Sequence, residues 1–428
     1  MHPGRGTTNE DRAERRIHHL VIRHQRRSTS RGNQSPIGCV DGTLPADMLR
    51  RHPRCKRTQP RTCGTGRRRA VAPKRASSMP TLTPAALTDY VARIFTAAGT
   101  PEADATLVAS HLVDANLMGH DSHGVIRVER YVRDMQGGRI VPGQPVRVER
   151  ETETTAVIDG GWNFGQVVAE RTMAIAIEKA RAYGVGIAVA HQCGHVGRVG
   201  AYGEQAAAEG MIGIAMVNNH GGGQVMAPPG GRERRLSPNP IVVAFPTPDA
   251  DAPFLLDMTT SVVAEGKVRL ARNRGDQLHE GWVVDAEGRP STDPAAYYGP
   301  PAGAILPLGG DSAHKGFGLA LVVEALAGAL SPAGTSRAGG PSGGNGLFTM
   351  AIDIAHFRPV GEFASTFGAL IDYVQSPPLA AGFDRIVIPG EPERWARAAR
   401  SEGVEVDDET WRQIQETAAG VGVPPFVS

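Results

Sequence analysis

The sequence predicts an α/β fold in which a layered mixed sheet is flanked by helices, and two observations support this prediction. From residue 79 onward, apolar runs of strand length alternate with amphipathic patterns of helical spacing, as is typical of layered α/β cores. The chain is also long enough for a sizeable core, because 40% of its 428 residues are hydrophobic.

Residues 1–78 differ from the rest of the chain in composition. They contain 19 Lys and Arg against 5 Asp and Glu and no aromatic residue, so they carry a net charge of +14 while the remainder carries −12. Such a segment cannot bury enough apolar surface to fold. We interpret it as a disordered basic extension outside the native protein, with Met79 as the natural start. A nucleic-acid-binding tail is the alternative, but no aromatic side chain is available for base stacking.

After Met79 the elements follow in order. Capping residues and helical spacing predict four helices first: one from Pro84 to Gly99, one from Pro101 to Met118, one that Ser122 caps, and one from Asn163 to Tyr183. Strands are then expected at Val185–Ala190, Ile212–Val217, Ile241–Phe245, Phe254–Met258, Trp282–Val284, Leu347–Ile352 and Ile386–Ile388. Further helices are expected at Ala201–Glu209, Val262–Asn273, Gly316–Leu330, Phe363–Gln375, Pro392–Ser401 and Glu409–Ala418. The Gly-, Ser- and Pro-rich segment Ser331–Asn345 predicts a loop.

Several classes of protein are disfavoured. The chain contains no run of about 18 apolar residues, which a membrane-spanning helix would need. Four cysteines suit a reducing cytoplasm better than a disulfide framework. The chain contains neither a Rossmann glycine fingerprint nor a P-loop. A G-x-S-x-G match at residues 340–344 lies in the predicted loop, whereas a hydrolase needs it between a strand and a helix. Cys193 lies between His191 and His195, which could indicate a Cys-His nucleophile or a metal site. The chain has no C-x-x-C or H-E-x-x-H motif to complete such a site, so we expect a buried cysteine and no metal site.

Two segments place histidines where acid/base chemistry is expected. His195 follows the predicted strand Val185–Ala190, at the carboxyl end where α/β proteins gather their ligand sites. An imidazole with a pKa near 6.5 suits proton exchange with a hydroxyl or carbonyl group. If Ser122 caps a helix, His123 and Arg127 share one face near its N-terminus, where the guanidinium can bind a carboxylate. A solvated histidine and a capped surface helix are the alternatives.

Two other segments suit a flat or phosphate-bearing ligand. Asn218-Asn219-His220-Gly221 follows the next strand, and glycine lets a backbone approach such a ligand closely. Lys315 stands at a predicted helix start, which disfavours a cation unless an anion such as a pyrophosphate binds at the same end. An ordinary surface turn and a solvated lysine are the alternatives.

Six segments in order resemble the malate/L-lactate dehydrogenase family of NAD(P)-dependent oxidoreductases, which lack a Rossmann domain. The segments are DSHGVIRVERY, HVGRVGAYGEQAAAEGMIGIAMVNN, MAPPGGRERRLSPNPI, DMTTSVVAEGKV, GWVVDAEGRPSTDP and HKGFGLALVVEAL. The resemblance spans about residues 80–395 and implies a non-Rossmann malate/L-lactate dehydrogenase-like fold. The family includes sulfolactate, ureidoglycolate, diketogulonate and cyclic imino acid enzymes.

The resemblance also implies roles for particular residues. It gives acid/base duty to His195 or His123 and substrate contacts to Ser122 and Arg127. It implies cofactor contacts for Asn218, Asn219, Asp257, Met258, Thr259, Lys315, Gly316, Gly390 and Glu391. Arg198 departs from the family's usual residues after the histidine and would add a cation beside the presumed chemistry. Because His220 and Gly221 depart as well, the identity of the substrate is left open.

We therefore predict that residues 79–428 form an oxidoreductase that transfers a hydride between NAD or NADP and C2 of a small 2-hydroxy or 2-oxo acid. The expected parts are a helical segment 79–140, a cofactor- and substrate-binding core 141–390 and C-terminal helices 391–428. Reduction of a cyclic imino acid such as piperideine- or pyrroline-2-carboxylate is one alternative, and a catalytically silent small-molecule binder is another. We expect a cytoplasmic homodimer with a small-molecule substrate and with neither nucleic acid nor membrane as a partner.

Overall fold

In a computed structural model, which describes residues 80–339 and 344–426, seven strands form one sheet in the order β2-β3-β4-β11-β5-β6-β7. These strands are β2 Arg147–Glu151, β3 Thr155–Asp159, β4 Val185–Cys193, β5 Met211–Asn219, β6 Ile241–Phe245, β7 Phe254–Met258 and β11 Asn345–Asp353. Two small sheets contain β1 Thr81–Leu82 with β12 Val404–Glu405, and β8 Val283–Val284 with β9 Pro290–Ser291 and β10 Ala304–Ile305. The predicted basic extension and most of the G-x-S-x-G match lie outside the described residues.

Helices surround these sheets. They are α1 Pro84–Ala97, α2 Glu102–Leu117, α3 Val128–Gln136, α4 Gly165–Tyr183, α5 Gly200–Ala208, α6 Glu265–Arg274, α7 Pro294–Tyr298, α8 Ala313–Val323, α9 Val360–Gln375, α10 Glu391–Arg400 and α11 Asp408–Gly420. No helix among these described residues is long and apolar enough to cross a membrane.

The large sheet is mixed, as the sequence predicts. Strands β3 and β4 run parallel, and the other neighbouring pairs are antiparallel. Strand β11 lies between β4 and β5, with Asn345 opposite both Cys193 and Asn219. The carboxyl ends of β4 and β5 therefore meet the start of β11 at one edge of the sheet, which we call the β4–β5 edge.

Helix α4 packs directly on the sheet. A Cβ atom at Gly186 of β4 would lie 2.0 Å from the carbonyl oxygen of Ala176 in α4, so only glycine permits this approach. Val168 and Met173 of the same helix are fully buried in the resulting core. Burying such a side chain contributes about 1.5–3 kcal/mol, so this helix–sheet contact stabilises the strand that leads to His195.

Two further cores flank the sheet. The first joins α1, α2, α3 and α11 through buried residues that include Tyr90, Ile94 and Tyr131. As predicted, Thr83 caps α1, and its hydroxyl accepts a hydrogen bond from the Ala86 amide at 3.3 Å. The second lies in residues 262–305, which we call the α6 lobe, and its buried members are Val263, Val268, Leu278, Val283, Tyr297 and Ile305.

The prediction of a helix that Ser122 caps is wrong. Residues Asp121–His123 and Val125–Arg127 form two separate 3-10 turns, and helix α3 begins only at Val128. Gly124 separates the turns with an extended backbone, and a Cβ atom there would lie 2.2 Å from Oδ1 of Asn116. The same oxygen accepts the Val125 amide at 2.9 Å. The α2 side chain thus takes an amide that a continuous helix would use.

Two predictions about strands also need correction. Residues Ile386–Ile388 form no strand: the Ile386 carbonyl accepts from the Gln375 side chain, and the Ile388 amide donates to Glu391. Strand β2 was not predicted, because all five of its residues are exposed and four are charged, with no apolar alternation. Charged residues are typical of edge strands, where they oppose pairing with another chain.

The predicted helix Gly316–Leu330 changes geometry half-way. Helix α8 ends at Val323, and Glu324–Ala329 continues as a π-helix. Glu324 is buried, and its carboxylate accepts from Asn218, Asn239 and Ser336 at 2.6–3.1 Å. The helix thereby directs a fully hydrogen-bonded carboxylate toward the end of β5.

Candidate active site

His195 lies at the β4–β5 edge, two residues after strand β4 ends. The backbone beyond it is held by Asn345 at the start of β11, whose Oδ1 accepts the Val196 amide at 3.1 Å. The amide group of Asn345 also donates to the Asn218 carbonyl at 3.0 Å. The histidine therefore stands on a loop tied to both neighbouring strands, as its position after a strand predicts.

The His195 ring is oriented by a tyrosine and a glutamine that the sequence analysis did not single out as site residues. The Tyr131 oxygen lies 2.7 Å from Nδ1 of His195 and 3.4 Å from the His195 carbonyl oxygen, and Gln166 Nε2 donates to the same phenol at 3.0 Å. All three contacts are satisfied together when Nδ1–H donates to the phenol and the phenol O–H donates to the carbonyl. This arrangement leaves a lone pair on Nε2 of His195.

His123 faces His195 across the site. The two imidazole rings are stacked, with centroids 5.5 Å apart and planes 18° apart. The Ser122 hydroxyl lies 3.0 Å from Nδ1 of His123. Three of the predicted site residues are therefore brought together from segments more than seventy residues apart in the chain.

Arg127 completes this group. Its Nε donates to the Ser122 carbonyl at 2.7 Å, and no described residue accepts a hydrogen bond from its two terminal nitrogens. The side chain is half-buried, so these nitrogens form a two-point donor in a partly desolvated place. Such a fork matches the geometry of a carboxylate.

Both histidines are neutral at physiological pH in this environment. Burial lowers the pKa of His123 to about 3, and the positive charge of Arg127 lowers it further. Burial and the same arginine hold the pKa of His195 well below its usual value. The expectation of a pKa near 6.5 is therefore wrong for the free protein, chiefly because the sequence did not show that both rings are buried.

Arg198 is held in an ion cluster, and its charge, after burial and the charges of Arg127 and His120, also lowers the pKa of His123. The Arg198 side chain is only 2% exposed and donates to Asp114 at 2.8 Å and to Glu204 at 2.5 Å. Burial alone would lower the pKa of Arg198, but the two carboxylates raise it above its usual value. Arg397 of α10 also contacts Asp114. Arg198 thus belongs to a buried ion cluster that joins α2, α5 and α10.

The residues predicted to contact a cofactor are divided among three places. Asp257 accepts the Gly200 amide at 2.9 Å, five residues after His195, and burial raises the pKa of its carboxyl group. The next residues, Met258 and Thr259, are half-buried. The Thr260 carbonyl after them accepts the amide of Leu308 at 2.9 Å.

Leu308 in turn lies against the start of α8. A Cβ atom at Gly316 would lie 2.2 Å from the Leu308 carbonyl oxygen, so glycine is required there. Lys315 is exposed in the first turn of this helix. The α8 start and the 257–259 segment are therefore adjacent.

The other predicted cofactor residues have their side chains engaged within the protein. Asn218 is fully buried, donates to Glu324 and the Gly334 carbonyl, and accepts the Gly346 amide at 3.1 Å. Asn219 donates to the Gly222 carbonyl at 3.2 Å. A cofactor contact from the Asn218 amide would require one of these bonds to be exchanged, so its predicted role remains a prediction.

Gly390 and Glu391 lie at the start of α10. Gly390 has a φ of 96°, and a Cβ atom there would lie 3.2 Å from the Leu255 amide nitrogen near the beginning of β7. The Glu391 carboxylate accepts the Ile388 amide at 2.6 Å. Cofactor contact by these two residues likewise remains a prediction.

The remaining candidates have structural explanations. Cys193 is buried, with its sulfur 3.9 Å from the Gly165 carbonyl, and burial raises the pKa of its thiol. Within the described ranges, no three His, Cys, Asp or Glu side chains are placed to hold a metal ion.

Comparison with known proteins identifies the family. The family model described as malate/L-lactate dehydrogenase matches residues 82–415. The chain belongs to the malate/L-lactate dehydrogenase family. It is therefore an oxidoreductase that acts on the CH–OH group of a hydroxy acid, and the predicted family, fold class and reaction class are confirmed.

Individual relatives agree with this membership. A malate dehydrogenase from Pyrococcus horikoshii is 40% identical over 346 residues, which cover 79% of this chain and 94% of the relative. A solved malate dehydrogenase structure from that organism matches with a TM-score of 0.73 and 38% identity, over 81% of this chain and 97% of the other. A Δ1-piperideine-2-carboxylate reductase structure from Pseudomonas syringae matches with a TM-score of 0.69 and only 26% identity, over 79% of this chain and all of the other.

Proposed function

We propose that the protein interconverts a small 2-hydroxy acid and its 2-oxo acid, with NAD or NADP as the cofactor and His195 as the acid/base residue. The observation that carries the proposal is the position of His195, held by Tyr131 and stacked beside His123 within reach of the Arg127 guanidinium. A proton-exchanging group and a carboxylate-binding group are what a 2-hydroxy acid requires on its two adjacent carbons.

Arg127 binds the C1 carboxylate in this proposal. Its terminal nitrogens donate two parallel hydrogen bonds, while the bond from Nε to the Ser122 carbonyl fixes the plane of the guanidinium. Fixing that plane restricts where the C2 oxygen of the substrate can lie. The carboxylate also neutralises the charge that lowers the pKa of His195, so substrate binding makes the imidazole a stronger base.

His195 exchanges the proton of the C2 oxygen through Nε2. During oxidation the Nε2 lone pair accepts the hydroxyl proton, and the resulting imidazolium keeps its Nδ1–H bond to Tyr131. During reduction the same Nε2–H donates the proton back. Burial raises the pKa of Tyr131 to about 12, so the phenol stays neutral and serves as a fixed acceptor for Nδ1–H in both directions.

His123 takes a supporting role. Its Nδ1 lies beside the Ser122 hydroxyl, and its low pKa keeps it neutral beside the His195 imidazolium that forms during oxidation. A second cation there would oppose proton transfer to His195. His123 is the alternative acid/base residue, because its stacked position brings it to the same substrate.

The chain's residues fit a nicotinamide dinucleotide. Gly309 and Gly310 have positive φ values before α8, nothing lies within 4 Å of a Cβ atom at Gly310, and Lys315 is exposed in the first turn. An open backbone, a helix N-terminus and a cation together suit a phosphate group. Asp257 and Thr259 lie in the adjacent segment and would contact the rest of the dinucleotide. When bound, the cofactor supplies or accepts the hydride.

We also propose that the protein is a homodimer. Helix α9 has 16 residues, of which only Ala364 is buried, while Leu370, Tyr373 and Val374 are 49%, 77% and 42% exposed. Exposed apolar patches of this kind are typical of protein interfaces, and a second copy of the chain would cover them. We expect the dimer in the cytoplasm, where the thiol of Cys193 stays reduced.

A substrate panel tests the proposed function. The full-length chain is assayed with NADH and NADPH against 2-oxo acids and cyclic imino acids, and with NAD and NADP against 2-hydroxy acids. Turnover of a 2-hydroxy/2-oxo acid pair is the expected result. Turnover of cyclic imino acids alone would instead identify the reductase alternative, which has the weaker support of a 26% identical structure. Cofactor binding without turnover of any substrate would identify a silent binder.

A further inference from the structure

A second guanidinium lies close to Arg127, on a different part of the chain. Helix α6 begins against the substrate residues: a Cβ atom at Gly266 would lie 3.9 Å from Cβ of Ser122. Among the charges that act on Arg127, those of Arg130 and Arg269 lower its pKa and that of Glu265 raises it, although burial is the largest cause of the lowering. The first turns of α6 therefore form one wall of the place where the substrate binds.

The carboxylates near this wall do not balance the guanidinium groups. Glu265 accepts the Tyr298 hydroxyl at 2.7 Å and lies 3.7 Å from Arg269. In helix α3, Asp134 contacts Arg130, and it also contacts Arg139. The three guanidinium groups of Arg127, Arg130 and Arg269 are matched by the two carboxylates of Glu265 and Asp134, so the surroundings of Arg127 carry one surplus positive charge.

We propose that Arg269 binds a second acidic group of the substrate and so selects 2-hydroxy acids that are dianions. This inference rests on the proposed function, in which Arg127 takes the C1 carboxylate and His195 the C2 oxygen. The remaining substituent at C2 then extends past Ser122 toward α6. Arg269 is 52% exposed and has only the long contact to Glu265, so it is free to turn toward a carboxylate or a sulfonate.

Glu265 also argues against a cationic substituent at this place. A substrate ammonium group would need an unengaged carboxylate, but Glu265 already accepts the Tyr298 hydroxyl and lies beside Arg269. It would also bring a third positive charge close to Arg127. An acidic substituent would instead be attracted by the guanidinium groups of Arg127 and Arg269.

The test compares Arg269→Gln with Arg274→Gln in the full-length chain. Both substitutions remove one positive charge from α6, but Arg274 lies in the last turn of the helix and has no hydrogen bond or ion pair among the described residues. Each variant is assayed with oxaloacetate and sulfopyruvate, which are dianions, and with pyruvate and 2-oxobutanoate, which are monoanions. The two dianions distinguish a carboxylate from a sulfonate preference.

We expect Arg269→Gln to lower kcat/KM for at least one dianion tenfold or more, mainly through KM, and to change the monoanion values less than twofold. Arg274→Gln should change none of them more than twofold. Equal losses for dianions and monoanions, or no loss, in an enzyme that still turns over 2-oxo acids would overturn the role of Arg269 and leave the proposed function standing. Absence of turnover with every 2-oxo acid in the wild type would remove both.

Discussion

The Tyr131 hydroxyl oxygen lies 2.7 Å from Nδ1 of His195, and this contact joins helix α3 to the loop after β4 across 64 residues of sequence. It fixes which nitrogen of the imidazole carries the proton and therefore which nitrogen faces the substrate. The Tyr131 ring is buried in the core that joins α1, α2, α3 and α11. Its hydroxyl, by contrast, contacts the His195 imidazole and so affects proton exchange with the substrate.

Tyr131→Phe should lower kcat about ten- to a hundredfold, equivalent to about 1.4–2.7 kcal/mol, with little change in cofactor affinity. The substitution removes the acceptor for Nδ1–H and lets the proton move to Nε2, where it blocks the base. Steady-state kinetics in the oxidation direction measure the effect. Tyr202→Phe is the matched control, because that buried hydroxyl donates to the Val196 carbonyl and not to an imidazole. Equal losses in both variants would mean that the effect is structural.

His195→Asn should lower kcat by about a hundredfold or more, roughly 2.7 kcal/mol, because a positioned acid/base residue contributes about 10²–10⁴-fold. The depressed pKa of His195 also places the acid limb of kcat/KM for oxidation below pH 6.5 in the wild type, and the limb should vanish in the variant. His123→Asn should lose less activity. If His123→Asn loses the limb and the activity while His195→Asn keeps both, the two roles must be exchanged.

Arg127→Lys should raise the KM of the substrate tenfold or more and leave cofactor affinity nearly unchanged. Lysine keeps the positive charge but loses the planar two-point contact with a carboxylate, and it cannot keep the bond from Nε to the Ser122 carbonyl. Cofactor binding measured by fluorescence titration separates the two effects. A weaker cofactor complex with an unchanged substrate KM would place Arg127 at the wrong ligand.

His123 should make the folded state less stable in acid. Its pKa is about 3 when folded and near 6.5 when unfolded, so between these values the unfolded chain binds more protons and the stability falls as the pH falls. The slope approaches about 1.4 kcal/mol per pH unit for this residue, and none of it remains above about pH 6.5. Urea unfolding at pH 7.5 and pH 5 should show a smaller loss of stability for His123→Gln than for the wild type. Parallel losses would mean that the folded-state pKa is not depressed.

The sequence predicted the elements of the fold better than their pairing. Apolar runs located β5, β6 and β7 to within two residues, because buried strands have a clear signature. Strand β2 was missed because its residues are exposed and charged. It forms by pairing with β3, and a local sequence pattern does not reveal that pairing. The same limit affected Arg198, since its carboxylate partners come from helices α2 and α5.

Within the site, the sequence located chemical groups and not their surroundings. His195 was found because it follows a strand, and Arg127 because its spacing from His123 suggested an anion site. The helix proposed to explain that spacing does not form, yet the Ser122 carbonyl still anchors Arg127. Gln166 and Tyr131 gave no usable signal, because a buried amide and a phenol resemble ordinary core residues until their partners are known.

Strand β11 occupies the middle of the sheet but is made late in synthesis. Its residues Asn345–Asp353 pair with β4 on one side and β5 on the other, roughly 130 to 160 residues behind it. Closing loops of this length is slow compared with forming local helices, and until it happens β4 and β5 expose unpaired backbone to each other. The loop that carries His195 is fastened by Asn345 of this strand. A nascent chain that has not yet been synthesised as far as residue 353 can therefore contain every proposed catalytic side chain and still be unable to form the active site.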